Sequence, residues 1–270
     1  MTADCTPFQP YLSRWGLTAD GAPFATRSSR LLPVLHEGRP AMLKIAVEAE
    51  ERAGGRLMVW WDGDGAARVF AHDDVALLME RATGDESLAA LVQAGHDDAA
   101  SRIICTAAAR LHSPRRQSLP ELVGLDHWFR ELGAAAQHGG LIAQAAAAAR
   151  RLLGEPRDTV VLHGDIHHGN ILDFGPQGWL AIDPKGLFGE RDFDFVNLFR
   201  NPDEATALSP GRFPRQLAVV TEAAGLQASR LLQWILAFAG LSAVWQIGDG
   251  EPPDEDLAVA ALAAAEIARA

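Results

Sequence analysis

The sequence predicts an α+β protein of two lobes, in which a small antiparallel sheet precedes a mainly helical region. Short apolar segments separated by turn residues fill roughly the first 80 positions. Alanine- and leucine-rich stretches of helical length follow from Gly84 onward. The chain of 270 residues also exceeds the length of about 250 at which a single core usually stops growing. We therefore predict an N-terminal lobe of residues 1–83 and a C-terminal lobe of residues 84–270.

The predicted N-terminal sheet consists of short strands that alternate with turn signals at residues 38–40 and 62–65. Residues 48–53 are rich in helix formers, but the Gly54-Gly55 pair is expected to end a helix there. The predicted strands are residues 41–45, 56–61, 66–71 and 75–79. The C-terminal lobe is predicted to contain helices over residues 88–94, 99–112, 126–136, 141–153, 229–247 and 253–270.

Composition restricts both the partners and the compartment. The formal net charge of -11 disfavours a nucleic-acid partner, because such binding depends on Lys and Arg side chains that neutralise phosphates. The charge favours a cationic small molecule, or it serves only to keep the protein soluble. Cys5 and Cys105 are too few for a disulfide framework. No secretion signal or uninterrupted apolar stretch of about 18 residues is apparent, so we expect a cytoplasmic protein without a membrane span.

Lysine is rare in this chain, which makes each lysine informative. Of the 24 basic residues, only Lys44 and Lys185 are lysines. Lys44 lies within the apolar run 42–45, where a lone ammonium group is costly to bury without an anionic partner. Lys185 follows Asp183 and Pro184, and it is expected either to contact phosphate or substrate or to pair with Glu190 or Asp192.

Residues 160–183 carry the strongest chemical signal and are predicted to form strand, loop, strand, turn and strand. A turn centred between residues 176 and 177 would pair residues whose numbers sum to 353, which places Asn170 opposite Asp183. Amide and carboxylate oxygens at that separation suit Mg²⁺. Asp165, in the loop five residues before Asn170, is then placed beside the metal as a general base for an attacking hydroxyl group.

This layout resembles the catalytic loop of protein kinases, and in finer detail it is similar to the aminoglycoside phosphotransferase family. The segments His163-Gly-Asp-Ile-His-His-Gly-Asn170 and Trp179-Leu-Ala-Ile-Asp-Pro-Lys-Gly-Leu-Phe-Gly-Glu190 resemble the streptomycin 6-phosphotransferase and hydroxyurea phosphotransferase branch. The similarity extends over residues 60–63, 111–112 and 241–245, and it covers most of the chain from about residue 24 onward. The resemblance implies a protein-kinase-like fold with ATP between the two lobes.

The same resemblance implies roles for individual residues. Asp165 would be the catalytic base, Asn170 and Asp183 would be the Mg²⁺ ligands, and Lys44 would pair the α- and β-phosphates of ATP. The carboxylate partner of Lys44 would be Glu48, Glu50 or Glu51, with the spacing back from Trp60 favouring Glu51.

Two further parts of an ATP site are less well specified. The residues Glu80 and Ala82 lie where the interlobe hinge would offer main-chain groups to adenine. No Gly-x-Gly-x-x-Gly motif precedes Lys44, so Ser28 and Ser29 are the candidates for phosphate contacts in its place.

Other interpretations of the same residues remain open at this point. His163, Asp165, His167 and His168 would also suit a zinc or iron site of a metal-dependent hydrolase, although His163 is better explained as a packed loop residue. Asp192 and Asp194 are expected to anchor the catalytic loop or to cap a following helix, and Trp234 and Trp245 are expected to lie in the core.

The predicted function is ATP- and Mg²⁺-dependent phosphorylation of a hydroxyl group of an aminoglycoside, with streptomycin 6-phosphotransferase activity favoured. Hydroxyurea phosphorylation and a housekeeping kinase for a small alcohol are the alternatives. A binding protein without catalytic activity is disfavoured, because Lys44, Asp165, Asn170 and Asp183 are all present. The sequence leaves the oligomeric state open.

Overall fold

A computed structural model describes residues 5–269, without the side chains of residues 49 and 50. The N-terminal lobe is built on a six-stranded antiparallel sheet with the order β1-β3-β4-β6-β5, and β2 also pairs with β3. A two-residue turn joins β3 to β4, and both of its residues, Glu37 and Gly38, have positive φ as a tight hairpin requires. The strands are β1 Leu17–Ala19, β2 Phe24–Ala25, β3 Ser29–His36, β4 Arg39–Ala46, β5 Val69–His72 and β6 Ala76–Glu80.

The outer face of this sheet is covered by the N-terminal segment, which the sequence analysis did not predict to be helical. A short 3-10 turn, Thr6–Phe8, leads into α1, Gln9–Trp15. Phe8 is buried against sheet residues that include Leu32 and Leu78. The first residues of the described chain therefore close the small hydrophobic core of the N-terminal lobe.

The helix that follows β4 is longer than predicted. Helix α2 spans Ala49–Trp61, so the strand predicted over residues 56–61 is wrong. The Gly54-Gly55 pair lies inside the helix and does not end it. At these two positions the absence of a side chain lets other segments of the chain pack closely against the helix. A Cβ atom added at Gly54 would lie 2.0 Å from the main-chain oxygen of Pro184, and one at Gly55 would lie 3.1 Å from His72 Nε2.

The C-terminal lobe is mainly helical, which confirms the predicted α+β class. Helices over 88–94, 99–112, 141–153, 229–247 and 253–270 are confirmed within two or three residues, whereas the helix predicted over 126–136 is interrupted at Phe129. Two helices between residues 204 and 224 were not predicted. The helices are α3 Leu88–Gln93, α4 Asp97–Leu111, α5 Leu125–Trp128, α6 Arg130–Ala135, α7 Gly140–Gly154, α8 Glu204–Ala207, α9 Arg212–Ala224, α10 Ala228–Asp249 and α11 Asp254–Arg269.

Helix α10 is long and apolar enough to cross a membrane by length and composition, a property that the sequence analysis missed. It packs instead against α7, α11 and the 3-10 segment Arg191–Arg200. Of its most apolar 18-residue window, 67% is buried inside the protein. This degree of burial is typical of the central core helix of a globular lobe.

Two small sheets carry the segment with the strongest chemical signal. Strands β9 and β10 form an antiparallel hairpin, and β11 lies between β7 and β8. The predicted register is wrong by one residue, because Trp179 pairs with Asp173 and the paired numbers sum to 352. The hairpin turn is the 3-10 segment Gly175–Gln177, and Phe174 N–H donates to Gly178 O across it at 2.9 Å. The strands are β7 Val123–Gly124, β8 Thr159–Leu162, β9 Ile171–Asp173, β10 Trp179–Ala181 and β11 Leu187–Glu190.

The lobes are joined by main-chain contacts as well as by the connecting segment. The N-terminal sheet ends at Glu80 and α3 begins at Leu88, so the predicted boundary at Gly84 falls between them. Ala67 N–H donates to Ala181 O at 2.9 Å, which ties the segment after α2 to the β9–β10 hairpin. The hairpin thus has a fixed position relative to the N-terminal sheet.

Candidate active site

The loop between β8 and β9 is held by one buried carboxylate. Asp194, in the 3-10 segment Arg191–Arg200, accepts hydrogen bonds from His163 N–H at 3.0 Å and Gly164 N–H at 2.6 Å. His112 Nε2 lies 2.7 Å from the same carboxylate. Of the two roles predicted for Asp194, anchoring the loop is the one that the structure shows, and these contacts satisfy both carboxylate oxygens in a site without solvent.

His163 is a structural residue of this loop, as predicted. It is fully buried and stacks on Trp61, with ring centroids 6.1 Å apart. Its Nε2 donates to Ile182 O at 2.8 Å, and its Nδ1 accepts from Asp165 N–H at 3.2 Å. These bonds assign the neutral Nε2–H tautomer, and burial lowers the pKa of the ring below its usual value.

Asp165 is the carboxylate that this loop presents to solvent. Its Oδ1 accepts from Asn197 Nδ2 at 2.8 Å, and its main-chain oxygen accepts from Asn170 Nδ2 at 2.9 Å. Lys185 Nζ lies 4.0 Å from its Oδ2. The carboxylate lines an open cleft of about 640 Å³. It is thus positioned by neighbours and still accessible to a substrate hydroxyl group.

Lys44 joins the two lobes through its ammonium group. It is 8% exposed on β4 and forms ion pairs with both Glu51 of α2 and Asp183 of the C-terminal lobe. Of the three candidate partners, the structure therefore pairs Lys44 with Glu51. Glu48 is the N-cap residue of α2 and lines the cleft, and the side chain of Glu50 lies outside the described residues.

Glu51 is shared by both lysines of the chain. Its Oε1 accepts from Lys185 Nζ at 3.3 Å, while its Oε2 accepts from Lys44 Nζ. Burial of Glu51 opposes its ionisation, but the charges of Lys44 and Lys185 outweigh burial and lower its pKa to about 2. Lys185 therefore pairs with Glu51 and not with Glu190 or Asp192 as predicted, and Glu190 pairs with Arg230.

Asp183 reaches Lys44 because the chain turns sharply at the end of β10. Its φ of 62° lies in the left-handed region, which is uncommon for a residue other than glycine and occurs often at functional sites. Asn170 O accepts from Ile182 N–H at 2.9 Å, so the cross-strand partner of Asn170 is Ile182 and not Asp183. The convergence of Asn170 and Asp183 on one metal ion stays a prediction.

The chemistry of these two side chains fits Mg²⁺. Asn170 uses its Nδ2 in the loop, which leaves its Oδ1 as a donor atom, and Asp183 is 34% exposed at its side chain. Both supply the hard oxygen ligands that Mg²⁺ prefers. Among residues 5–269, no three His, Cys, Asp or Glu side chains form a group that could hold a metal, so the zinc or iron alternative at residues 163–168 has no geometric support.

The predicted nucleotide contacts of the N-terminal lobe are only partly available. Ser29 is 1% exposed, its hydroxyl group points into the lobe, and its N–H donates to Thr26 Oγ1, so it is not accessible to a phosphate. Ser28 is half-buried and stays a candidate. Glu80 N–H donates to the main-chain oxygen of Arg68, the residue before β5. Ala82 makes no hydrogen bond within the described part of the chain, so its main-chain groups are free to meet adenine.

Several residues of the cleft were missed by the sequence analysis. Asn197 and Arg200 lie on the 3-10 segment Arg191–Arg200, which carries no recognisable motif. Trp128 and Trp245 also line the cleft and meet edge to face at 5.5 Å. Trp245 is therefore only partly a core residue, whereas Trp234, at 1% exposure, is confirmed as one.

Comparison with known proteins agrees with this geometry. A family model described as "Aminoglycoside/hydroxyurea antibiotic resistance kinase" matches residues 14–250. A streptomycin 3''-kinase of Klebsiella pneumoniae is 51% identical over 261 residues, which cover 93% of this chain and 98% of that protein. A streptomycin 6-kinase of Streptomyces glaucescens is 34% identical over 263 residues, which cover 92% of this chain and 84% of that protein.

A solved structure shows the same fold. It is the ternary complex of a thermostable mutant of aminoglycoside phosphotransferase APH(4)-Ia with AMP-PNP and hygromycin B. Its TM-score is 0.64 at 15% sequence identity, and the match covers 96% of this chain and 95% of that one. The prediction of an aminoglycoside phosphotransferase relative is thus confirmed, and the chain belongs to the aminoglycoside/hydroxyurea antibiotic resistance kinase family.

Proposed function

We propose that this protein transfers the γ-phosphoryl group of ATP to a hydroxyl group of streptomycin. The observation that carries the proposal is the position of Asp165, which lies at the wall of the open cleft and within 4.0 Å of a lysine that also contacts the Lys44–Glu51 pair. A base for the acceptor and cations for the phosphates therefore stand side by side. This is the arrangement that phosphoryl transfer requires.

ATP is proposed to lie between the lobes, with adenine at Ala82 and the phosphates at Lys44. The AMP-PNP of the structural neighbour supports a nucleotide in a protein of this fold. Asn170 and Asp183 would hold Mg²⁺, which supplies charge neutralisation at the phosphate oxygens when bound. In the structure Lys44 already joins Glu51 to Asp183, so the phosphate-binding lysine and the proposed metal ligand stand next to each other before the nucleotide binds.

The residues of the chain then perform two tasks. Asn197 holds Asp165 through the 2.8 Å hydrogen bond to its Oδ1, which leaves Oδ2 facing the cleft. Asp165 orients the acceptor hydroxyl group for in-line attack and accepts its proton. Placement and charge stabilisation, not a covalent enzyme intermediate, account for the rate enhancement.

The cleft suits a cationic acceptor. Each cation of its lining is already paired with a carboxylate: Arg27 with Asp249 at 2.7 Å, Arg200 with Asp256 at 3.1 Å, and Lys185 with Glu51 at 3.3 Å. The remaining charged groups of the lining are carboxylates: Glu131, which pairs with Arg130 at 3.0 Å, and Glu48 and Asp165. The Trp128 and Trp245 rings add faces that attract guanidinium groups, of which streptomycin has two.

A second cavity of about 310 Å³ adjoins Asp165 and strengthens the acidic character of the site. Asp203, Glu204 and Glu255 line it together with Asp165. An acceptor with more than one cationic group can therefore extend to both sides of the base. Hydroxyurea is small and neutral, so it would gain nothing from the acidic lining or from the second cavity.

The position of phosphorylation on streptomycin is a finer question. The resemblance of the motifs to the streptomycin 6-phosphotransferase branch favours the 6-hydroxyl group. The 51% identity to a streptomycin 3''-kinase exceeds the 34% identity to a streptomycin 6-kinase, and it extends over nearly the whole of both chains. We therefore propose the 3''-hydroxyl group, with the 6-hydroxyl group as the alternative. We also propose that the enzyme acts in the cytoplasm, where ATP is available.

The test is a panel of acceptors with Mg-ATP at two ionic strengths. Streptomycin should stimulate ATP consumption, and its KM should rise with salt because the Debye length shrinks from about 10 Å at 0.1 M to about 3 Å at 1 M. Phosphorus-proton coupling in the NMR spectrum of the product identifies the phosphorylated hydroxyl group. If the enzyme phosphorylates hydroxyurea but not streptomycin, hydroxyurea replaces streptomycin as the proposed acceptor. If it phosphorylates neither compound, both acceptor assignments are wrong.

A further inference from the structure

The part of ATP that Lys185 contacts has not been assigned so far, although this lysine lies closer to the base than any other cation of the cleft lining. Its main chain is fixed, because Lys185 N–H donates to His163 O at 2.7 Å beside the loop that presents Asp165. Packing at this point is tight, since a Cβ atom added at Gly164 would lie 3.2 Å from Lys185 Cβ. The base of the lysine side chain therefore has a defined position relative to Asp165.

The ammonium group of Lys185 points between two acidic residues of different function. It lies 3.3 Å from Glu51 Oε1 and 4.0 Å from Asp165 Oδ2, and its side chain is 21% exposed in the wall of the cleft. Glu51 also pairs with Lys44, which is itself shared with Asp183, so the two ammonium groups of this site lie among three carboxylates, Glu51, Asp183 and Asp165.

The distance to Asp165 defines what Lys185 can reach. An acceptor oxygen bound to the base lies about 2.6–3.2 Å from the carboxylate, and the phosphorus atom that it attacks lies about 3–3.5 Å farther on. A cation 4.0 Å from the same carboxylate is then within hydrogen-bond reach of an oxygen of the transferring group. Lys44, on the far side of Glu51, is not placed beside the base in this way.

We propose that Lys185 is a further catalytic residue, which binds an oxygen of the γ-phosphoryl group of ATP during its transfer to the acceptor. The inference rests on the proposed kinase function. In the free enzyme Glu51 holds the ammonium group, and with ATP bound the group contacts the γ-phosphate. The two lysines thus bind different parts of the triphosphate: Lys44 contacts the α- and β-phosphates, and Lys185 contacts the γ-phosphate.

The separate roles of Lys44 and Lys185 can be tested by measuring nucleotide affinities in the absence of an acceptor. Calorimetry with Mg²⁺ compares ADP, which lacks the γ-phosphate, with AMP-PNP, which carries a γ-phosphate analogue. Lys185→Met should weaken AMP-PNP binding about tenfold or more, the scale of a lost charge-assisted hydrogen bond, and should change ADP binding less than about twofold. Lys44→Met is the matched control, because it should weaken the binding of both nucleotides.

Turnover provides a second readout. Lys185→Met should lower kcat about 10²-fold and change the KM for streptomycin less than about threefold, whereas Lys185→Arg should keep the preference for AMP-PNP and recover part of kcat. If the Met variant does not fold, Lys185→Gln gives the same comparison. Equal weakening of ADP and AMP-PNP, or no weakening of either, would overturn the proposal and leave Lys185 as a structural partner of Glu51.

The outcomes separate this inference from the proposed function. Wild-type enzyme that binds both nucleotides but phosphorylates no acceptor contradicts the streptomycin assignment, while the ratio of ADP to AMP-PNP affinities still supports or overturns the role of Lys185. Wild-type enzyme that phosphorylates streptomycin, together with a Lys185→Met variant of unchanged kcat, supports the function and overturns the inference.

Discussion

Gly54 is one of the residues at which helix α2 contacts the active-site segment, and Gly54→Ala should disturb both stability and catalysis. Alanine in a helix interior is favoured over glycine by about 0.5–1 kcal/mol. Here the added Cβ atom would lie 2.0 Å from the main-chain oxygen of Pro184, and a main-chain atom cannot move aside as the end of a side chain can. The overlap requires a shift of about 1 Å and should cost about 1–3 kcal/mol.

The net effect follows from the difference between these two contributions. Gly54→Ala should destabilise the protein by up to about 2.5 kcal/mol, while kcat should fall about 10²-fold, because the shift moves Asp183 and Glu51 relative to each other. Gly133→Ala is the matched control, since Gly133 is also helical and an added Cβ atom would meet nothing within 4 Å. That variant should be more stable than wild type by about 0.4–1 kcal/mol, with unchanged turnover.

Urea denaturation and an ATP-consumption assay measure the two quantities on the same preparations. The contrast between the two alanine variants isolates the contact with Pro184, because the gain in helix propensity is common to both. A Gly54→Ala protein that is stabilised like the Gly133→Ala control, with full activity, would refute the view that this glycine sets the position of α2 against Pro184.

Three other predictions follow from the site. Asp165→Asn should retain Mg-ATP binding and lose about 10²-fold or more in kcat, and unchanged turnover would remove Asp165 from the role of base. Glu51 has a folded-state pKa of about 2, below its ordinary value of 4.5, so its contribution to stability is complete above pH 4.5 and is lost as pH falls towards 2. Glu51→Gln should therefore be less stable by roughly 3 kcal/mol at pH 7, with a deficit that shrinks below about pH 4.5 in denaturation curves; a deficit that is independent of pH would contradict the assigned charge. Asp194→Asn should destabilise the protein by about 2–4 kcal/mol, because both carboxylate oxygens accept main-chain N–H groups and an amide has only one oxygen to replace them. A melting temperature equal to that of wild type would show that this anchor is dispensable.

The elements that the sequence predicted correctly are those with a strong local pattern. Long apolar stretches predicted α4, α7, α10 and α11, whereas the catalytic role that the loop at 163–170 suggests for Asp165 stays a prediction. The isolated lysine in an apolar strand predicted an anionic partner for Lys44, and the structure supplies two, Glu51 and Asp183.

The errors arise where tertiary contacts override local preferences. Gly54 and Gly55 are unfavourable for a helix on their own, but Pro184 and His72 lie too close to α2 for larger residues, and this long-range packing is invisible to propensity. The hairpin register differs by one residue because the turn uses three residues rather than four. Ser29 is the first residue of β3, and its side chain faces the lobe interior instead of the nucleotide cleft. The direction of a side chain in a strand depends on the alternation of residues between the two faces of the sheet, which composition does not show.

The measurement that tests the central claim most directly is mass spectrometry of streptomycin after incubation with Mg-ATP and either wild-type enzyme or the Asp165→Asn variant. The structure places Asp165 at the cleft beside Lys185 and Asn197, so wild-type enzyme should convert streptomycin to a product heavier by one phosphoryl group. Under the same conditions the variant should bind the nucleotide and form about 10²-fold less product or none. Unmodified streptomycin with the folded wild-type enzyme, or equal product from both proteins, would contradict the account.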